Sequence, residues 1–498
     1  MNLNEAIEKL NALQRKLAAY NHASGLIYYD GATTAPKGSA KNRAESLGVL
    51  SEETYRLQTG EETAALLDFL QERRDELDEV NRRVVEVMRK DIDELRRVPI
   101  DEYVAMQKLL SESEDVWHDA KEKSDFAMFA PYLERVVATM KRYAGYVAPE
   151  KDAYDFWLDK YEDGLTRETC EKFFGTLRRE LVPLIERVKA AQQLDDSCLH
   201  GDFPIDRQRA LSDRLMSLIG IDRAHCGIGE TEHPFTTNFT KYDVRITTHY
   251  HPDDFSDSMF SVIHEGGHAL YELHVADELA YTCLGTGVSM GIHESQSRFY
   301  ENILGRSFGF VRQVAPVLRE LFPQLSGVTD EAFYRAFNVS RPSLIRTQAD
   351  ELTYGMHILI RYELEKKLFS GELAVKELPA AWNALYKEYL GVDVPDDRRG
   401  VLQDSHWSSG ALGYFPSYAL GSAYGAQLLA KMKQTVDVDA CLEKGDLAPV
   451  NAWLEEYIWK YGCLYKPAEL LERALGEPFD PAYYVRYLTE KYTKLYSL

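Results

Sequence analysis

The stretch His264-Glu265-Gly266-Gly267-His268 decides how the rest of the chain is interpreted. Its H-E-x-x-H pattern makes chemical sense on a helix, where residues four apart differ by about 40° in rotation and about 6 Å in height. Both imidazoles can then bind one ion, and the intervening glutamate can act on a water bound to that ion. The pattern therefore predicts the zinc site of a peptidase, with a solvated helix that carries two surface histidines as the alternative.

The residues around the motif favour a helix. Asp253 or Asp254 can cap its N-terminus, and apolar residues then recur at helical spacing, namely Phe255, Met259, Val262, Ile263, Leu270 and Leu273. Gly266 and Gly267 oppose the helix, since glycine costs a helix interior about 1 kcal/mol relative to alanine. We therefore expect another part of the molecule to approach the backbone closely at these two glycines.

The composition limits the possible partners of this 498-residue chain. Its net charge of −22 argues against a nucleic acid or an anionic membrane as partner and fits a plain acidic surface. No run approaches 18 apolar residues, and Met1–Glu5 lack the basic start of a signal peptide, so we expect no membrane span and no leader. The six cysteines form no C-x-x-C pair, which indicates reduced thiols in a cytosolic protein.

Most of the chain has the pattern of helices. Apolar residues recur at helical spacing in 3–20 and 62–97. Two or more further helices fit between 101 and 147, and Thr166 can cap a helix that runs to about Gln193. Between about 200 and 252, Phe235–Phe239 and Tyr242–Tyr250 are rich in threonine, aromatic and β-branched residues. They predict two or three short antiparallel strands that form one wall of the site.

These patterns predict a mainly α fold with a small antiparallel β-sheet beside the active site. No repeat, low-complexity segment or flexible linker divides the chain, so we expect a single domain of residues 1–498. Within it we expect a largely helical N-terminal part (1–199), a small β-sheet region (200–252) and a helical catalytic part (253–498).

A catalytic zinc needs a third protein ligand and an open position for water. His274 fits the last position of an extended motif, H-E-x-x-H-x-x-G-x-x-H, but Tyr271 replaces the glycine that lets the chain leave the helix. If the helix continues, His274 lies about 15 Å and Glu272 about 12 Å along the axis from His264, too far to share its ion. Glu294, which opens a new helix downstream, is the better candidate for a His₂Glu site.

Five blocks of sequence carry a resemblance to one family. They occur in the order Asp243–Thr247, His264–His268, His293–Arg298, Ile345–Asp350 and Gly400–Trp407, supported by His233–Phe235 and Tyr161–Thr166. Together they resemble the carboxypeptidase Taq family of thermostable zinc carboxypeptidases. His274 departs from the family pattern, where a small residue or glycine is expected.

The resemblance implies a mostly α-helical fold with a deep central groove, shared with neurolysin and angiotensin-converting enzyme. It implies cytoplasmic homodimers that act on peptides with a free C-terminus and release single residues with broad specificity. In these terms His264, His268 and Glu294 hold Zn²⁺, for which Co²⁺ can substitute, and Glu265 is the general base.

The remaining site residues follow from the matched blocks and their neighbourhood. Tyr418 is the first candidate for the donor that stabilises the oxyanion, with His406 second. Tyr414 is a weaker candidate, for which core packing is the alternative.

The terminal carboxylate of the substrate calls for an arginine fork, and Arg346 is favoured over Arg245. The alternative is a structural ion pair, of Arg346 with Asp350 and of Arg245 with Asp243. Two other functions stay open at this point: an oligopeptidase or dipeptidyl carboxypeptidase on the same fold, and a non-catalytic helical binding protein with a relict motif.

Overall fold

The computed structural model describes residues 1–498 and confirms the mainly α fold. Nine helices precede the sheet, and they are α1 (Leu3–Thr33), α2 (Ala40–Thr59), α3 (Glu61–Gln71), α4 (Glu79–Arg97), α5 (Ile100–Lys123), α6 (Phe126–Val147), α7 (Ala153–Tyr161), α8 (Arg167–Ala190) and α9 (Ile205–Leu218). Eleven follow it, and they are α10 (Phe255–Leu273), α11 (Met290–Arg298), α12 (Phe308–Leu321), α13 (Asp330–Phe337), α14 (Glu351–Ser370), α15 (Leu378–Leu390), α16 (Pro416–Met432), α17 (Val438–Lys444), α18 (Ala448–Tyr457), α19 (Pro467–Leu475) and α20 (Ala482–Tyr496). No helix is long and apolar enough to cross a membrane.

The helix boundaries follow the caps that the sequence provides. Thr166 caps α8 by accepting a hydrogen bond from the backbone N–H of Thr169, and Asp254 caps α10 through the N–H of Ser256. The amphipathic stretch 62–97 is two helices, because Asp78 starts a new helix by accepting from the N–H of an asparagine three residues later. This break lets α3 and α4 fold back on each other.

The three strands are β1 (Cys226–Glu230), β2 (Thr236–Thr240) and β3 (Asp243–Thr248), in the spatial order β1-β3-β2. The antiparallel prediction is confirmed for β2 and β3, but it is wrong for β1, which pairs in parallel with β3. Two successive chain reversals give β1 and β3 the same direction, and β3 then inserts between the other two strands. Nothing in the local residue pattern specifies this neighbour.

Helix α11 is pressed between α10 and α16 at two glycines. A Cβ added to Gly267 of α10 would lie 2.6 Å from the carbonyl oxygen of Gln296 and 2.7 Å from the Cα of Ser297. A Cβ added to Gly421 of α16 would lie 2.7 Å from the Cβ of Glu294. The close approach expected at the glycines of the motif is therefore confirmed, and it brings the backbone of α11 to the histidine helix.

Two apolar clusters hold the helices together. The larger cluster draws on buried residues from Val98 to Tyr496 and surrounds α10, α11 and α16. The smaller cluster joins α1, α3 and α4 to the loop that follows α10, through Val275, Leu279 and Leu284. Helix α1 also covers β2, where the ring of His22 stacks on Phe239 at 5.2 Å. The sheet consequently lies between the N-terminal helices and α10.

Alanine at Gly267 should lower the free energy of unfolding by about 1–3 kcal/mol or more, because the added methyl group meets the backbone of α11. Gly175, in the middle of α8, is a matched control because a Cβ there meets nothing within 4 Å. Gly175→Ala should leave stability unchanged or raise it by up to about 1 kcal/mol. Chemical denaturation of both variants measures the difference, and equal effects would contradict the packing described here.

Candidate functional site

The structure brings together the three side chains predicted to hold a metal. The Nε2 atoms of His264 and His268 lie 3.6 and 3.5 Å from Oε2 of Glu294. The candidate ligand atoms of all three residues lie within 4.8 Å of one another. Two histidines from one helix and a carboxylate from a second are a donor set that catalytic metal sites use, with a further position open for water.

The charges of the three groups suit a divalent cation. Burial alone would raise the pKa of Glu294, but Arg298 and then His264 lower it well below its usual value, so the group is a carboxylate. Burial lowers the pKa of His268 to about 4, which leaves this imidazole neutral. Burial opposes the protonation of His264, yet Glu294 and Glu301 raise its pKa. Metal binding at His264 therefore competes with a proton.

Each histidine is held from behind by a different partner. Nδ1 of His264 lies 2.8 Å from Oε2 of Glu301, which also accepts from Arg298 at 3.2 Å. Nδ1 of His268 lies 2.7 Å from Nδ1 of His293. Both contacts leave the Nε2 atoms directed at Glu294, the orientation that ligation requires.

The two rejected candidates lie outside this group, as the helix geometry predicted. Helix α10 ends at Leu273, and His274 is its C-terminal cap. The Nδ1 atom of His274 lies 2.7 Å from the carbonyl oxygen of Leu270, and its ring packs on Trp459. Glu272 faces His293 instead, with its Oε1 atom 2.6 Å from Nε2.

The sheet forms a wall beside Glu265, as predicted. Thr236 of β2 donates its hydroxyl to the carboxylate of Glu265 and also lies 3.0 Å from its carbonyl oxygen. Glu265 is buried, and burial raises its pKa. A carboxylate whose pKa is raised towards neutral pH is suited to move protons.

The candidate oxyanion donors form an aromatic cluster at the start of α16. The hydroxyl of Tyr418 lies 3.3 Å from Nε2 of His406, and the rings of Tyr418 and Tyr414 are 5.0 Å apart. Gly421, which touches Glu294, follows Tyr418 by three residues and so shares its face of the helix. Burial lowers the pKa of His406 to about 4, and its Nδ1 atom is buried without a partner.

Arg346 is buried and pairs with Asp404, whereas the sequence pointed to Asp350 as the alternative partner. The Nε and Nη2 atoms of Arg346 lie 3.1 and 2.9 Å from Oδ1 of Asp404. Its Nη1 atom contacts only the hydroxyl of Tyr354, at 3.4 Å. Asp350 caps α14 instead. One edge of the Arg346 guanidinium therefore has no carboxylate partner.

Arg245 makes the structural pair that was the alternative to substrate binding. Its Nε and Nη2 atoms lie 2.9 and 2.8 Å from the two carboxylate oxygens of Asp243. The guanidinium also packs on the rings of Tyr29 and Phe239, at 5.0 and 4.9 Å from their centroids. This arginine joins the sheet to helix α1.

One chain of contacts, which the sequence did not reveal, joins the metal group to Arg346. Arg298 donates to Oε1 of Glu294 at 2.7 Å and lies over the ring of Tyr354, whose hydroxyl accepts from Arg346. The sequence could have indicated the contact between Arg298 and Glu294, because the two residues are four apart on one helix. Nothing in the sequence pointed to Tyr354. Arg298 therefore contacts both Glu294, the candidate metal ligand, and Tyr354, which borders Arg346.

Buried Glu162 anchors the N-terminus of α11. It accepts from the backbone N–H of Gly291 at 2.8 Å and from the hydroxyl of Ser289 at 2.9 Å. Burial raises its pKa to about 7. This contact gives the stretch Tyr161–Thr166, which resembled the family, a structural role, since Glu162 holds a residue 129 positions later in the chain.

Glu294→Ala should weaken the binding of a divalent cation strongly, since it removes the only carboxylate of the group. His274→Ala is the matched control, because this histidine lies on the same stretch and outside the group, and it should retain the metal. Metal content after dialysis, measured by atomic emission, checks both variants. Retention by Glu294→Ala together with loss by His274→Ala would overturn the ligand assignment.

Comparison with known proteins agrees with this geometry. The family model of the carboxypeptidase Taq (M32) metallopeptidases matches residues 9–492. Carboxypeptidase 1 of Bacillus subtilis (strain 168) is 41% identical over 489 residues, which cover 98% of each chain, and thermostable carboxypeptidase 1 of Pyrococcus furiosus is 37% identical over 500 residues, covering 98% of this chain and 99% of that one. The crystal structure of the M32 carboxypeptidase from Deinococcus radiodurans R1 matches with a TM-score of 0.96 at 36% identity, covering 99% of this chain and 100% of that one. The chain belongs to the carboxypeptidase Taq (M32) family of metallopeptidases and is a peptide hydrolase.

Proposed function

We propose that this protein is a zinc-dependent carboxypeptidase that releases single residues with broad specificity from the C-terminus of peptides. The observation that carries the proposal is the convergence of His264, His268 and Glu294 beside a buried glutamate and an arginine with one free edge. The family resemblance supports a cytoplasmic homodimer as the working form, and Co²⁺ as a substitute for Zn²⁺.

The donor set fits zinc, because two imidazole nitrogens and one carboxylate leave a fourth position open. A zinc ion bound there supplies Lewis-acid activation of water and of the scissile carbonyl. Glu265 takes a proton from the attacking water and transfers it to the leaving amine. Thr236 fixes this carboxylate against the sheet wall while it does so.

Tyr418 donates its hydroxyl to the oxyanion that develops on the scissile carbonyl. Burial raises the pKa of Tyr418, so the phenol keeps its proton and remains a donor at neutral pH. His406 supports the phenol from 3.3 Å and is the second candidate donor. Tyr414 lies against both rings and forms part of the wall of the substrate pocket.

Arg346 binds the terminal carboxylate of the peptide through the guanidinium edge that Asp404 leaves free. Asp404 also pairs with buried Arg361 at 2.6 Å, so the aspartate holds two arginines in fixed positions. Arg245 is a secondary candidate, since Asp243 already accepts from its Nε and Nη2 atoms.

Glu265→Gln should keep near-stoichiometric metal and lose at least about 10²–10⁴ in kcat, the usual contribution of general acid–base catalysis. The amide has the size of the carboxylate but cannot take a proton. Glu278, an exposed glutamate in the loop after α10, provides the control, and Glu278→Gln should keep the full rate. A near-normal rate in Glu265→Gln would remove this residue from the mechanism.

Amidation of the substrate C-terminus and Arg346→Ala should each reduce kcat/KM about 30- to 5000-fold, because each removes one partner of a charge-assisted pair. The two losses should not add, since both remove the same interaction. Arg346→Lys should recover only part of the rate, because the ammonium lacks the fork. Steady-state kinetics on one peptide, as free acid and as amide, measures these effects.

The matched control is Arg399→Ala, which breaks an exposed arginine–aspartate pair with Asp396 and should leave kcat/KM unchanged. Equal cleavage of the amide and the free acid would show that the groove continues past the cut site. That result would replace the carboxypeptidase proposal with the oligopeptidase reading.

A further inference from the structure

We propose that His293 and Glu272 form a positioning relay that fixes the ring and the tautomer of His268 for metal binding. The inference rests on the proposed metal site and adds two residues to it. Neither residue belongs to the group of candidate ligands. They are positioning residues, because they act on the metal only through His268.

The relay is a continuous line of short contacts. Nδ1 of His268 lies 2.7 Å from Nδ1 of His293, and Nε2 of His293 lies 2.6 Å from Oε1 of Glu272. Both ring nitrogens of His293 are therefore engaged, so this histidine has no nitrogen left for a metal. His293 therefore supports the candidate ligand His268 from behind and does not bind the metal itself.

Metal binding through Nε2 of His268, together with these contacts, determines where the protons lie. To bind a metal through Nε2, His268 must carry its proton on Nδ1 and donate it. Nδ1 of His293 must then accept, so the proton of His293 is on Nε2, where it is donated to Glu272. With a metal on Nε2 of His268, these contacts allow one set of tautomers, in which every proton along the line is donated towards Glu272.

Glu272 is itself fixed as an acceptor. Its Oε1 atom also accepts from the hydroxyl of Thr286 at 2.8 Å and the backbone N–H of Gly287 at 3.0 Å, and its Oε2 atom accepts from the amide of Asn238 at 2.5 Å. Four donors thus converge on one carboxylate that is almost completely buried. A buried carboxylate with this many donors holds its position and its charge.

The ring of His293 is also fixed by packing. A Cβ added to Gly287 would lie 2.6 Å from Cδ2 of His293, and the ring of Tyr271 packs beside that of His293 with the centroids 5.2 Å apart. The imidazole therefore occupies a slot between the loop and α10. Rotation of the ring, which would exchange its donor and acceptor nitrogens, requires the slot to open.

The other candidate histidine ligand, His264, is held in a different way from His268. His264 contacts the carboxylate of Glu301 directly at 2.8 Å, the arrangement common behind metal ligands. His268 reaches its carboxylate only through His293. Strand β2 completes the relay, since Asn238 holds Glu272 and Thr236, two residues earlier on the same face of the strand, holds Glu265.

The test measures metal affinity of the full chain by chelator competition with Zn²⁺ and with Co²⁺, together with the d–d absorption of bound Co²⁺. His293→Leu should weaken binding about 10- to 100-fold and shift the Co²⁺ bands. His293→Asn should restore part of the affinity, because its side-chain oxygen can accept from Nδ1 of His268. His274→Ala, on the same stretch and outside the relay, is the control and should match the wild type.

A double-mutant cycle separates a relay from general support of the fold. Glu272→Gln should weaken metal binding in the wild-type background, but it should have no further effect in His293→Leu, because the line is already broken. Additive losses with unshifted Co²⁺ bands, or wild-type affinity in His293→Leu, would overturn the relay and leave the metal site intact. A wild-type protein that binds neither ion would overturn the metal site itself, and the relay with it.

If His293→Leu does not fold, the metal affinities of His293→Asn and His293→Gln test the relay instead. The glutamine amide can reach Glu272 but leaves Nδ1 of His268 without an acceptor, so it should bind metal more weakly than the asparagine variant. The reverse order would contradict the relay.

Discussion

The site depends on the close approach of α11 to two other helices. Glycines on α10 and α16 allow backbone contact, with no room for a Cβ at Gly267 or Gly421. Glu162 holds the N-terminus of α11 from a third direction. Close packing of this kind resists small displacements, so the carboxylate of Glu294 is held at a fixed distance from His264 and His268. A glutamate on a loop would lack this constraint.

Charge pairing extends this constraint through the site. Arg298 links Glu294 to Glu301, and Asp404 holds Arg346 and Arg361. Buried ion pairs of this kind give little net stability, but removing one partner leaves an uncompensated charge. Their role here is positional, because contacts through Arg298 and Tyr354 connect the candidate metal ligands to Arg346.

Features that depend on local spacing could be predicted from the sequence. Residues four apart had to share a helix face, and a helix continuing past His268 had to carry His274 away from the ion; the structure agrees on both points. Pairings between distant segments could not be predicted. Asp404 lies 58 residues from Arg346, so the sequence offered Asp350 instead, and the parallel pairing of β1 depends on the path of the whole chain. His293 stood inside a recognised block, but only the fold shows what it touches.

A metal held by these residues should let the protein remove one residue at a time from a free C-terminus. Mass spectrometry of a single unblocked peptide, sampled over time during incubation with the metal-loaded protein, tests it most directly. We expect a ladder of products that differ by one C-terminal residue each, and no ladder after chelation. Steps of two residues or internal fragments would contradict it in favour of a dipeptidyl carboxypeptidase or an oligopeptidase, and intact peptide in the presence of bound metal would show that the site is not catalytic.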